Sequence, residues 1–256
     1  DLTMAGAFEP ASTLTQRAFL SSVDVLTDAP AATIVAFGDS ITDGIGSTTD
    51  GNDRWPDVLA GRLVERGGPV AYGVSNQGVS GNRLLADGAN ASGGENVFGD
   101  SILARMDRDV LSVPGVSYVV LFIGVNDLGN GLGPGPNVGG GVLSLPDSEV
   151  SDATMLAGYR QVIARARAHG LKIYGATITP YRGAGSWTEE GEALRQTIND
   201  WIRESGEFDG VIDFDAAVRD PDDPRQIADG LHIDFLHGSP AGYAAMANAI
   251  DLSLFE

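Results

Sequence analysis

The stretch Thr33–Gly44, TIVAFGDSITDG, decides how this chain is read. Thr33–Phe37 are mostly β-branched or apolar, as suits a strand buried on both faces. The run breaks at Gly38-Asp39-Ser40, where a small residue, an acid and a hydroxyl stand at the carboxyl end of that strand. In open α/β sheets this edge is where ligands bind. Ser40 is therefore a candidate nucleophile, provided that a base, an orienting acid and oxyanion donors reach it from elsewhere.

Outward from this stretch, strand-like and helix-like segments alternate. Further strands are expected at Val70–Ser75, Val116–Ile123, Leu171–Thr177 and Val211–Phe214. Helices are expected at Arg54–Arg66, Ser101–Leu111, Asp152–His169, Thr188–Glu204 and Ser239 to about Leu254. In the first helix Trp55, Val58, Leu59, Leu63 and Val64 recur at helical spacing, with Pro56 in the first turn, where it is tolerated. Ser151 is a plausible N-cap and Gly170 follows the end of its helix. Asp215–Gly238 reads as irregular. Gly129–Pro146 is rich in Gly, Pro and Asn without periodicity, the composition of a long binding loop or lid or of a disordered segment. The alternation predicts an α/β fold of three layers, α/β/α, flavodoxin-like, with a five-stranded parallel sheet in the order 2-1-3-4-5. One such domain would occupy residues 31–256. Residues 1–30 read as a linker, in which Phe19–Leu26 would be an edge strand or a segment packed on the domain.

Composition narrows the function. Of 256 residues 35 are acidic and 16 basic, a net charge of −19. Nucleic acid and anionic membranes would be repelled by this field, so neither is an expected partner. No apolar run reaches the roughly 20 residues that span a bilayer. With no cysteine, disulfides and thiolate chemistry are excluded together. No clustered acidic pattern argues for calcium, and no cofactor is implied. The chain starts at Asp1 rather than Met, the start expected of a processed or trimmed form whose preceding part would hold an export signal or another domain. A secreted or periplasmic place is expected, with the cytoplasm left open.

A serine hydroxyl needs a base, and the chain has three histidines. His169 falls at the end of a helix, where it meets the carbonyl dipoles in a structural role. His232 and His237 precede the last helix, and each has an aspartate three residues ahead, Asp229 and Asp234. That spacing lets a turn set a carboxylate beside the imidazole. Asp39 is expected to cap its turn, Asp43 and Asp127 to tie loops by accepting backbone N–H groups, Asn76 to hold its loop, and Trp55 to pack. The nucleophile elbow of α/β-hydrolases is excluded, because Thr42 stands where that turn needs glycine.

Four blocks in order resemble the SGNH hydrolases, or GDSL esterase/lipase family: Gly38-Asp39-Ser40, Asn76–Gly81, Gly124–Asp127, and Asp234–His237 with Ala241-Gly-Tyr243. Ile41 stands where the family has leucine, and Gly238 where it usually has proline. The resemblance implies Ser40 as nucleophile, His237 as base, Asp234 as its orienting acid, and an oxyanion hole from the backbone N–H groups of Ser40 and Gly81 and the amide of Asn126. His237 is favoured because Gly242-Tyr243 follows at the family's usual spacing; otherwise Asp229 and His232 form the dyad. The segments flanking Ser40 resemble a bacterial branch of arylesterases and carbohydrate esterases. A serine esterase for short acyl esters is implied, with acetylated carbohydrate as an alternative substrate. A non-catalytic sugar-binding module and a phosphate-binding flavodoxin-like protein are the readings from other classes.

Overall fold

The computed structural model describes residues 22–88, 98–131, 137–138, 141–142 and 150–256. Five parallel strands form its centre: β1 (Ala31–Gly38), β2 (Ala71–Gly78), β3 (Val116–Phe122), β6 (Lys172–Ala176) and β7 (Gly210–Ile212). Their order is β2-β1-β3-β6-β7, with every pairing parallel, which is the expected 2-1-3-4-5 arrangement. Ile34–Phe37 and Val119–Phe122 are buried, because central parallel strands have helices over both faces. A two-stranded antiparallel pair, β4 (Asn137–Val138) with β5 (Gly141–Val142), stands apart from the sheet.

The helices are α1 (Ser40–Asp43), α2 (Trp55–Arg66), α3 (Ile102–Met106), α4 (Val125–Gly131), α5 (Asp152–Ala168), α6 (Glu189–Glu204), α7 (Phe214–Val218) and α8 (Pro240–Asn248). Contacts join α2 to α8 and α8 to α7 in one layer, and α3 to α5, α5 to α6 and α6 to α4 in the other. Trp55, Leu59 and Leu63 form the buried stripe of α2, whereas Val64 is exposed, so the apolar face is narrower than its sequence suggests. Ser151 and Thr188 cap α5 and α6 through side-chain oxygens that accept from Thr154 N and Gly191 N. No helix among the described residues is long and apolar enough to cross a membrane.

Several expected boundaries are corrected. Strand β2 spans Ala71–Gly78, so it runs three residues past the expected end at Ser75 and takes in the first half of the Asn76–Gly81 block. The helix expected over Ser101–Leu111 ends at Met106 and continues as a π-helical turn, Asp107–Leu111. Phe214 opens α7 instead of closing β7, since Asp213 caps that helix by accepting from Ala216 N. The last helix stops at Asn248. Arg62 and Arg66 of α2 donate to the carbonyls of Ile250 and Leu252 at 3.0 and 2.7 Å. A separate 3₁₀ turn, Leu252–Phe255, then places the buried Phe255 ring against Tyr118 and Tyr174. Ser22–Leu26 form no strand and are exposed, so this part of the lead-in does not pack on the domain. Most of Gly129–Pro146 lies outside the described residues, apart from the end of α4 and the short antiparallel pair.

Strands β1 and β2 end together in paired glycines, Gly38 opposite Gly78. A Cβ on Gly78 would run into the backbone N of Asp43 and stand 2.7 Å from its Cα, so the absent side chain lets α1 sit directly on the strand ends. Backbone cannot yield as a side chain can. Gly78→Ala should therefore lower the stability measured by urea unfolding by about 1–3 kcal/mol. Gly73→Ala, whose nearest neighbour would be Thr33 Oγ1 at 3.8 Å, serves as control and should cost far less. Equal losses at the two sites would contradict this account.

Candidate active site

The sheet delivers three turns to one edge. Asp39 leaves β1 in extended conformation, and its carboxylate accepts from Ile41 N at 2.9 Å, capping α1 as expected. Ser40 thus sits at the first position of that short helix, 4% exposed. Among the described residues its backbone N–H carries no hydrogen bond, as the first N–H of a helix has no partner within it. Gly44 closes α1 at φ 100°, a left-handed conformation for which glycine is suited.

From the other end of the chain, the loop before α8 brings His237 over Ser40. Its Nε2 lies 2.9 Å from Ser40 Oγ, and its Nδ1 lies 2.7 Å from Asp234 Oδ2. Asp234 Oδ1 also accepts from the backbone N–H groups of Leu236 and His237, at 3.1 and 2.7 Å, which fixes the carboxylate in the turn. Burial raises the Asp234 carboxyl, but the hydrogen bonds from His237 outweigh it and hold the pKa below the usual carboxylate range. An ionised Asp234 keeps the imidazole proton on Nδ1 and leaves the Nε2 lone pair facing the serine hydroxyl. The alternative pair does not form. His232 Nδ1 accepts from Phe235 N at 3.0 Å, and Asp229 is exposed and makes no bond to it. His169 takes the structural place expected, with Nδ1 2.9 Å from Arg165 O.

Gly238, in the family's proline position, is buried against Tyr243. A Cβ there would lie 2.9 Å from the Tyr243 ring, while the Tyr243 hydroxyl donates to Ile45 O beyond α1. The aromatic side chain thereby couples the loop bearing His237 to the turn bearing Ser40.

Opposite them, Gly81 has φ 75°, and among the described residues its N–H carries no hydrogen bond. Asn126, in the first turn of α4, donates from Nδ2 to Asn82 O at 3.0 Å. This uses one of its two amide N–H groups and leaves the other free to donate. Asp127 accepts from Leu84 N and Leu85 N at 2.8 and 3.1 Å, tying the two loops together as expected. Asn76 lies within β2 instead of a loop; its side chain donates to Thr42 O and accepts from Gly78 N, both under 3 Å, tying the strand end to α1. Asp43 differs from expectation, since it accepts from the Ser80 hydroxyl at 2.9 Å. Trp55 is fully buried against Phe214, a packing residue.

One organising residue was not singled out from the sequence. Arg105 is buried beneath the site, donating to Gly38 O at 2.7 Å, Gln77 O at 2.9 Å, Asn82 Oδ1 at 3.0 Å and Asp109 at 2.9 Å. Its guanidinium also lies 4.4 Å from the centre of the Phe37 ring. A polar residue between apolar helical positions was the only sequence signal. Among the described residues no group of three or more His, Asp or Glu side chains is placed to hold a metal ion.

The GDSL-like lipase/acylhydrolase family model matches residues 36–245, a span that contains every element of this arrangement. The chain belongs to that family. No curated protein matches it. Many solved structures share its fold, among them the following three. A GDSL-like lipase from Bacteroides thetaiotaomicron is 16% identical, with 87% of each chain covered and a TM-score of 0.57. An acetyl xylan esterase, AlAXEase, is 20% identical over 85% of this chain and 96% of its own, at 0.57. An alpha/beta hydrolase enzyme from the metagenome of Lake Arreo, Spain, is 21% identical over 86% and 94%, at 0.58.

Two acids lie beneath this GDSL-family site. Burial, reinforced by the charge of Asp127, pushes the Asp39 pKa to about 7 in spite of the Ile41 N–H bond. Burial likewise pushes Asp127 to about 6, against the backbone bonds from Leu84 and Leu85. Between its ordinary value of 3.8 and about 7, Asp39 keeps a proton in the folded state that the unfolded chain has released. Stability from this residue is therefore lost as pH rises through that window. Asp39→Asn retains an acceptor for Ile41 N without the charge. Its stability relative to wild type, read from urea unfolding at several pH values, should improve between about pH 5 and about pH 8. A difference constant with pH would contradict the assignment.

Proposed function

We propose that this chain is a serine esterase that hydrolyses short-chain acyl esters through an acyl-enzyme on Ser40. The observation that carries the reading is the continuous relay Ser40 Oγ–His237–Asp234, with links of 2.9 and 2.7 Å. Ser40 Oγ attacks the ester carbonyl while His237 Nε2 takes its proton, and Asp234 stabilises the imidazolium. The carbonyl oxygen gains its negative charge facing the N–H groups of Ser40 and Gly81 and the amide of Asn126. Collapse of this intermediate expels the alcohol, which takes the proton from Nε2. Water then repeats the sequence on the acyl-enzyme and releases the acid.

Acetylated carbohydrate is the second substrate class. It is favoured by the resemblance of the segments around Ser40 to carbohydrate esterases, and an acetyl xylan esterase is among the structures that share the fold. Acetate released from acetylated xylan, measured beside p-nitrophenyl acetate hydrolysis, separates it from general short-chain esterase activity. A place outside the cytoplasm agrees with the acidic composition, a net charge of −19.

Ser40→Ala should abolish p-nitrophenyl acetate hydrolysis. His237→Ala should lower kcat by several orders of magnitude, while His232→Ala, which removes no member of the relay, should lower it far less. Asn126→Ala should cost roughly 10²–10³ in kcat, the usual effect of one oxyanion donor. Activity surviving in Ser40→Ala would overturn the mechanism, and loss with His232→Ala but not His237→Ala would move the base.

A further inference from the structure

Between Asp234 and His237 stands a residue that the relay does not use. Phe235 has φ 66°, the left-handed region in which a bulky side chain is an outlier. Such strain persists only where the surroundings impose it, and it concentrates at functional sites. Phe235 N donates to His232 Nδ1, Ile233 N donates to His237 O at 3.0 Å, and Asp234 closes the turn beneath. The conformation turns the ring out of the chain's path and away from burial; the residue is 41% exposed.

The ring is nevertheless held. His232 lies against it with centroids 4.5 Å apart and planes inclined by 31°. On another side it abuts Gly183, in the loop that follows β6; a Cβ there would lie 2.7 Å from Phe235 Cγ and 2.8 Å from Cδ1. The missing side chain at position 183 leaves room for this ring. Ile233, also exposed, reaches the other way onto Gly46, where a Cβ would lie 3.0 Å from its Cδ1. The loop that carries His237 thus presents a fixed, solvent-facing aromatic ledge two residues from the imidazole.

The reaction says which part of a substrate meets that ledge. His237 Nε2 must hand its proton to the departing oxygen, so the alcohol portion lies on the His237 side. The acyl oxygen lies toward Gly81 and Asn126. An exposed aromatic ring on the loop that carries His237, two residues before it, suits a flat or ring-shaped alcohol, by stacking on a phenol or on the C–H face of a pyranose.

We propose that Phe235 is a specificity-determining residue that selects esters of ring-bearing alcohols by stacking on the leaving group. This rests on the esterase reading above and adds to it the class of alcohol. His232 and Gly183 act through Phe235 as positioning residues, one supporting the ring and accepting its N–H, the other leaving space for it.

The test compares esters with the same acetyl group and different alcohols: phenyl acetate, an O-acetylated methyl xyloside and ethyl acetate. The readout is kcat/KM for each ring ester relative to ethyl acetate. Phe235→Asn removes the ring while tolerating the left-handed backbone. It should lower the ratio roughly three- to tenfold, chiefly through KM, the size expected for a lost aromatic stack. Phe235→Tyr should keep the ratio near wild type. Gly183→Ala displaces the ring from a different loop and should lower the ratio as Phe235→Asn does. A fall for the xyloside alone identifies a sugar as the ring, and a fall for phenyl acetate alone identifies a phenol. An unchanged ratio in Phe235→Asn and Gly183→Ala, whatever the absolute rates, overturns the proposal. A changed preference for butyrate over acetate, with that ratio constant, overturns it too and assigns the ring to the acyl side. If Ser40→Ala still hydrolyses all three esters, the esterase reading itself has failed; a Ser40-dependent activity with a constant ratio sinks the Phe235 assignment alone.

Discussion

Arg105 holds the carboxyl edge of the sheet in one piece. Its guanidinium reaches the last carbonyl of β1, a carbonyl near the end of β2 and the side chain of Asn82, while Asp109 balances its charge. Burial pulls its pKa down, against the bonds and charge of Asp109, yet an arginine stays protonated at any working pH. Leaving such a cation without its acceptors would cost several kcal/mol, so β1, β2 and the Gly81 loop have one arrangement that satisfies it. From Asn82 the order continues to Asn126 and Asp127, through the amide bond to Asn82 O and the carboxylate bonds to Leu84 and Leu85. The donors opposite Ser40 are placed by this buried polar frame.

The other half of the site is coupled more loosely and to the opposite layer. His237 and Asp234 come from a loop whose anchors are Tyr243 on Ile45, Gly238 on the Tyr243 ring and the His232–Gly238 bridge. Asp234 is half exposed, whereas Asp39 and Asp127 are buried. Their electrostatics diverge accordingly. Hydrogen bonds from His237 and Leu236 hold the Asp234 carboxyl below its ordinary range. Burial raises the other two, which accept from backbone N–H groups. A net charge of −19 therefore says little about the site, where each acid is governed by its own surroundings.

Much of this was legible in the sequence. Buried parallel strands read as apolar runs, and the sheet order follows from strand–helix alternation. Ser40, Gly81, Asn126 and the Asp234–His237 spacing stand at strand ends or in a turn that needs them. Legibility failed where tertiary partners decide. Helical spacing in Ser101–Leu111 could not disclose that Arg105 turns inward to two strand-end carbonyls and the Asn82 side chain. The final helix stops because Arg62 and Arg66 capture carbonyls from a distant element. Phe214 was read as strand because its cap, Asp213, is fixed by Thr177, 36 residues away, and by Arg203 on the preceding helix. The left-handed Phe235 carries no local signal at all, since its conformation is imposed by His232 and by the room at Gly183.

The proposed nucleophilicity of Ser40 depends on His237. A fluorophosphonate, which reacts covalently with activated serines, tests that without reference to any substrate. Intact mass followed by peptide mapping should find one adduct on the peptide containing Ser40, formed rapidly in wild type and in His232→Ala and hardly at all in His237→Ala. An adduct on another residue, or equal labelling with and without His237, would contradict it.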